Sequence, residues 1–192
     1  ILPYGTANDF ARLLGLFPDK MMKAFESAIH EAPQLIDCAK VNDRYFINVM
    51  SGGLGAEITT ETPKELKDLL GGTAYALAGT FKLARKSAKI VTIEAEEGTW
   101  SGEAMLYSIG YGRYAGGGTD VAPLYDLCDG VLDVCICPSV GIESYPELIA
   151  DIINMNPAEY EKMIYWQTKS LRLSSEGDIQ LNLDGEPVVG TE

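Results

Sequence analysis

Positive charge is scarce in this 192-residue chain: fifteen Lys and Arg stand against twenty-eight Asp and Glu, a formal charge of −13. A surface so acidic cannot neutralise a row of phosphates, which excludes a sequence-independent nucleic-acid binder. Long hydrophobic runs are lacking, since no apolar stretch nears the roughly 18 residues that span a bilayer, and no signal peptide opens the sequence. Histidine is nearly absent. His30 is the only one and sits in an expected helix without a His or Cys neighbour, so it reads as neither ligand nor base. Cysteines number four, with no second pair at metal-ligand spacing. Cys135 and Cys137 alternate in VLDVCIC and share a strand face, and all four thiols are expected to be buried, in a reducing compartment. There is no internal repeat and no low-complexity linker.

What is present describes an ordinary folded chain. Hydrophobic residues make up 46% and charged residues 22%, enough to build a core without disulfides. The class expected is a globular protein of the cytoplasm. Ile1–Leu2 read as the end of a strand, and Glu186–Gly190 as a strand being entered, so a piece of a longer protein is expected.

The opening ILPYGTANDFARLLGLF runs from that strand end through a Gly-Thr turn into a helix capped by Asn8 or Thr6, with Phe10, Leu13, Leu14 and Phe17 as its apolar stripe. A second helix begins at Pro18–Asp19, with Met22, Phe25 and Ile29 on one face. The period then changes to two, and Asn42–Asp43 between alternating runs predicts a β-hairpin. Residues 51–55 read as a backbone-rich loop. Ala74, Leu77, Ala78 and Phe81 fall at helical spacing, and Lys82, Arg85, Lys86 and Lys89 close that helix. This cluster either complements the helix dipole or faces an anionic bilayer. Strands follow around Val91–Ala95, Met105–Ile109 and Val131–Cys137. Pro146–Asn154 and Ala158–Trp166 look helical, and Leu171–Leu183 alternates around Gly177. The fold expected is mainly β with helical insertions, an α+β chain built on an antiparallel β-sandwich.

Four segments have the composition for chemistry. Gly5-Thr6-Ala7-Asn8-Asp9 exposes amides and a hydroxyl where an anion can sit, or is a plain capping turn. Gly116-Gly117-Gly118 permits close approach to the backbone, or is a flexible hairpin loop. The acidic run 126–133, with Asp126, Asp129 and Asp133, suits a hard divalent cation that also takes backbone carbonyls, or is an acidic turn without metal. Asp184-Gly185-Glu186 places two carboxylates around a turn, where one can serve as general base for a hydroxyl nucleophile, or is a solvated hairpin end.

Taken in order, these segments resemble the diacylglycerol kinase catalytic-domain family of bacterial lipid kinases. The residues that carry the resemblance are ILPYGTANDFAR (1–12), IDCAKVNDRYFINVMSGGLGAEI (36–58), YALAGTFKLA (75–84), GRYAGGGTDVAPLYDLCDGVLDV (112–134) and LDGEP (183–187). The resemblance covers essentially the whole chain, and only the C-terminal part of the family's length. It implies a lipid kinase and NAD kinase-like architecture, with an N-terminal ATP-binding domain and a C-terminal β-sandwich around a cleft. Residues 1–34 would then link to the missing N-terminal domain, and residues 35–192 would form the acceptor-side domain, truncated at its end.

The implied activity is transfer of the γ-phosphoryl of ATP to a lipid hydroxyl, with Mg²⁺, at the membrane surface. The piece alone is expected to be inactive, because the family's Gly-Gly-Asp-Gly-Thr phosphate loop lies upstream of Ile1. By position, Thr6 matches a nucleotide-phosphate contact, with Asn8 and Asp9 completing that turn. Asp129 matches a magnesium ligand, and Asp126 and Val131 match positions giving backbone carbonyls to the same ion. Glu186 matches the proton acceptor and Asp184 its neighbour. The family often carries Asn where this chain has Tyr111. The expected partners are the lipid substrate and the N-terminal domain, with a homodimer left open. A catalytically silent lipid- or partner-binding domain and a kinase of a soluble acceptor are the alternative readings.

Overall fold

The computed structural model of the chain describes residues 1–53, 88–144 and 163–190. The expectations for Ala74–Phe81, for Lys82, Arg85 and Lys86, and for Pro146–Asn154 fall outside these residues.

Two short helices lead. α1 (Asp9–Leu13) is a five-residue turn of helix, and a 3-10 turn (Pro18–Lys20) opens α2 (Met21–His30). The expected capping of α1 is not what Asn8 does. It takes a left-handed φ of 54°, and its side chain turns back to Gly5 instead of to the helix. In α2, Ala24 is buried, while the Met22, Phe25 and Ile29 face is open, with Phe25 51% and Met22 71% exposed. His30 ends α2 and is exposed, consistent with its lack of partners.

Among the described residues twelve strands follow: β1 (Ala39–Val41), β2 (Arg44–Phe46), β3 (Val49–Gly53), β4 (Lys89–Ala95), β5 (Gly98–Gly110), β6 (Tyr114–Ala115), β7 (Thr119–Asp120), β8 (Leu132–Pro138), β9 (Ile164–Thr168), β10 (Leu171–Ser175), β11 (Ile179–Leu183) and β12 (Glu186–Gly190). β1 and β2 form the expected hairpin, with Asn42 at φ 50° in its turn. β6 and β7 form a second small hairpin around the three glycines. Eight of the rest make one antiparallel sheet in the order β10-β4-β5-β3-β11-β12, with β8 and β9 added beyond β5. β5 organises it. Residues 98–104 pair with β4, while residues 106–110 pair with both β3 and β8, which therefore lie on opposite edges of that half. The register shifts between Ala104 and Leu106, an irregularity of the kind that bends a long strand.

Residues directly opposite in an antiparallel pair share a face. Ile109 stands opposite Val134 and Met50, Tyr107 opposite Ile136, and Met50 opposite Leu183. Joined by Ile93, Val91 and Phe46, they form the core. Cys135 and Cys137 point to the other face, opposite Ser108 and Leu106, and both are buried.

Four expectations are corrected. Cys38 and Cys128 are exposed, because they sit in loops outside the alternating strands. Ser51–Gly53 are strand and not loop: Gly52 lies under the Tyr107 ring, where any Cβ would overlap, so the glycines serve close packing. Lys89 opens β4 instead of closing a helix, and its Nζ donates to the Asp178 carbonyl at 2.5 Å. Ile164–Trp166 belong to β9; their β-branched and aromatic side chains outweigh the helical spacing read from 158 to 166.

Candidate active site

The Asp184–Gly185 pair is the two-residue turn between β11 and β12, with φ 51° and 100°, the geometry that Asp-Gly hairpins favour. The Gly185 amide donates to Asn182 Oδ1 at 2.8 Å. The Asp184 carboxylate reaches across to the start of β3, where it accepts from three successive amides: Ile47 (2.8 Å), Asn48 (2.9 Å) and Val49 (3.0 Å). The Asp184 amide returns a bond to the Val49 carbonyl at 3.1 Å. Three donors on one carboxylate make an anchor. Glu186, the first residue of β12, is exposed. β12 pairs only with β11 among the described residues, so Pro187 lies on an edge strand, where a missing N–H is tolerated.

Asn48 carries the connection onward. Its carbonyl accepts from Tyr111 (3.1 Å) and Gly112 (3.0 Å), and its Nδ2 donates to the Tyr114 carbonyl at 3.2 Å. Tyr114 begins the hairpin that presents Gly116, Gly117 and Gly118, all with positive φ (62°, 91° and 113°). The Gly117 amide donates to Asp9 Oδ2 at 2.9 Å, which ties the glycine loop to α1. One residue earlier, Asn8 and Gly5 exchange bonds of 2.7 and 2.6 Å, and this closes the Gly-Thr-Ala-Asn turn with Thr6 exposed at its tip. Asp9 thus spends one oxygen on the loop.

The acidic loop forms a second branch. Asp126 Oδ1 accepts from the Cys128 amide (2.8 Å) and Asp129 Oδ1 from the Val131 amide (2.9 Å), two local turns at exposed residues. The loop is held by Asp37, whose Oδ2 accepts from Gly130 (2.7 Å) and whose amide donates to the Leu127 carbonyl (2.7 Å). The branches meet at Tyr111. Its amide is bonded to Asn48, and its hydroxyl is pushed up by burial first and then by Asp37, Asp129 and the Cys38 thiol. Asp133, 2% exposed and opposite Gly110, accepts from Tyr165 and from Gln167 Nε2 at 3.1 Å. Burial raises its pKa above the usual carboxylate range.

Asp184 and Asp9 are therefore linked through Asn48, Tyr114 and Gly117, while Asp126, Asp129 and Val131 lie on the loop held by Asp37, and the charges of Asp37 and Asp129 act on Tyr111. Asn48 and Asp37 are the residues sequence reading passed over. Asn48 had one visible signal, the glycines at 110 and 112: a Cβ at either would overlap Asn48 atoms. Among the described residues no three His, Cys, Asp or Glu side chains are grouped to hold a metal. The donors that Asp126, Asp129 and Val131 offer are oxygens, a set suited to an ion that keeps several waters, as Mg²⁺ does, and not to an all-protein cage. Among the described residues no helix is long and apolar enough to cross a membrane.

The described residues thus form an antiparallel β domain in which carboxylate-bearing turns are hydrogen-bonded around a glycine loop. The family model described as the YegS C-terminal NAD kinase beta sandwich-like domain matches residues 48–191, and the chain belongs to that family. It is 38% identical over 191 residues to an Enterobacter protein named "Probable lipid kinase YegS-like", covering 99% of this chain and 62% of that protein. It is 38% identical over 195 residues to "Probable lipid kinase YegS" of Salmonella newport, covering 63% of it. A solved Bacillus anthracis structure, described provisionally as a diacylglycerol kinase, is similar with a TM-score of 0.73 and 27% identity, over 97% of this chain and 60% of that one. The chain thus spans somewhat over three-fifths of the length of these relatives.

Proposed function

We propose that this chain is the acceptor-side part of an ATP- and Mg²⁺-dependent lipid kinase that phosphorylates a lipid hydroxyl at the membrane surface. The observation that carries the reading is the hydrogen-bonded continuity from Asp184 through Asn48 and the glycine loop to Asp9, in a chain whose relatives carry the name "Probable lipid kinase YegS-like".

The geometry supports a division of labour in the acid pair. Asp184 anchors the turn, and Glu186, exposed at the strand start, is the general base. Glu186 takes the proton of the acceptor hydroxyl as that oxygen attacks the γ-phosphorus; the new O–P bond forms while the bridging P–O bond breaks and ADP departs. Thr6 hydrogen-bonds a nucleotide phosphate. Asp9 accepts from the Gly117 amide and so sets the turn against the glycine loop. With Mg²⁺ bound, Asp129 would supply a carboxylate oxygen and Asp126 and Val131 backbone carbonyls, and the ion would neutralise charge beside the acceptor. Leu2, Tyr4, Leu14 and the exposed face of α2 are the surface that meets the nucleotide-binding domain.

The test is phosphoryl transfer by the full-length protein to vesicles containing diacylglycerol, phosphatidylglycerol or a sphingoid base, against soluble dinucleotide acceptors. Labelled lipid is the expected product. Labelling of a soluble acceptor alone, or lipid binding without ATP consumption, would overturn the proposal.

A further inference from the structure

We propose that Asn48 is a positioning residue that clamps the acid-pair hairpin to the glycine loop, so that Glu186 and the Thr6 turn keep one relative placement; this rests on the kinase reading above. Four bonds converge on this residue. Its amide donates to Asp184 Oδ1 (2.9 Å), its carbonyl accepts from Tyr111 and Gly112, and its Nδ2 donates to Tyr114 (3.2 Å). The backbone bonds survive any side chain, so the side-chain bond to Tyr114 is what the identity of residue 48 adds.

That bond is made under tight packing. Asn48 is only 9% exposed, and its Oδ1 is buried with no hydrogen-bond partner among the described residues, against the glycine at 112. A buried acceptor with no partner is a cost that a purely structural position would shed through an apolar residue of similar size. It is tolerated here by the residue that stands at the junction of both catalytic segments. Asp in this place would keep the shape but set a carboxylate against the Tyr114 carbonyl and next to Asp184. A longer side chain would strike Gly112.

The experiment uses the full-length protein with diacylglycerol vesicles and ATP, comparing wild type, Asn48→Ala and the isosteric Asn48→Asp. Misplacement of about 1 Å costs about 10²-fold in turnover. Accordingly kcat falls about 10- to 100-fold in both variants, with KM for ATP and lipid within about twofold of wild type. The Asn48→Asp defect shrinks as pH drops, because the protonated acid regains an O–H donor for Tyr114. Amide hydrogen exchange in Asn48→Ala quickens at Gly117 in the glycine loop, while Val49 and Gly185, held by bonds that do not use the Asn48 side chain, keep their protection. Unchanged kcat, a pH-independent defect in Asn48→Asp, or unchanged exchange at Gly117 would overturn the clamp. Should wild type transfer phosphate to no hydroxyl, the kinase reading falls, and the exchange pattern alone decides the clamp.

Discussion

Asp184→Gly removes three accepted hydrogen bonds at once while keeping a residue that accepts φ 51°, so it isolates the carboxylate. A hydrogen bond to a charged group contributes about 1.5–3 kcal/mol. The three here share one exposed carboxylate, and water can reach part of the freed backbone, so the sum is discounted. The expected loss is about 2–4 kcal/mol in urea denaturation. For a chain of this size that is a fall in Tm of about 4–16 °C by circular dichroism. Asp184→Ala loses about 1–2 kcal/mol more, because it adds left-handed strain. Glu186→Ala, on an exposed edge position, shifts stability by no more than about 0.5 kcal/mol. Equal losses for Asp184→Gly and Glu186→Ala would refute the separation of anchor from base.

Gly112→Ala destabilises the fold by about 2 kcal/mol or more, because its Cβ would overlap the Asn48 amide, whereas Gly117→Ala meets no neighbour and costs only its positive-φ strain; urea titration separates them. Asp133 has a folded pKa above its unfolded value of about 4, so stability falls as pH rises from there through the raised value, and Asp133→Asn flattens that slope in Tm measured from pH 4 to 7. Cys135 and Cys137 are pushed up to about 12 by burial, so two thiols, Cys38 and Cys128, react with a thiol reagent in the native chain, and four react in denaturant.

The sheet was legible where one face is buried and the other wet. β4, with Val91 and Ile93 inward and Thr92 and Glu94 outward, alternates cleanly, and the Asp-Gly of 184–185 announced its hairpin. Legibility failed where packing, not pattern, decides. Gly52 and Gly53 looked like loop residues, yet they continue β3 because Tyr107 occupies the space a side chain would need. Met22, Phe25 and Ile29 had the spacing of a core stripe, but periodicity does not say what covers a face. In the candidate site, the acid pair, the acidic loop and the Gly-Thr turn stood out by composition. Asn48 and Asp37 did not, since both act on backbone groups far away in sequence, and such partners carry no local signature.

The proposed kinase role is tested most directly by measuring transfer of phosphate from ATP into lipid by the full-length protein with Glu186 replaced by Gln. Loss of a positioned base predicts a drop in kcat of about 10²–10⁴-fold with the melting temperature held. Lipid phosphorylation at the wild-type rate in Glu186→Gln would contradict it.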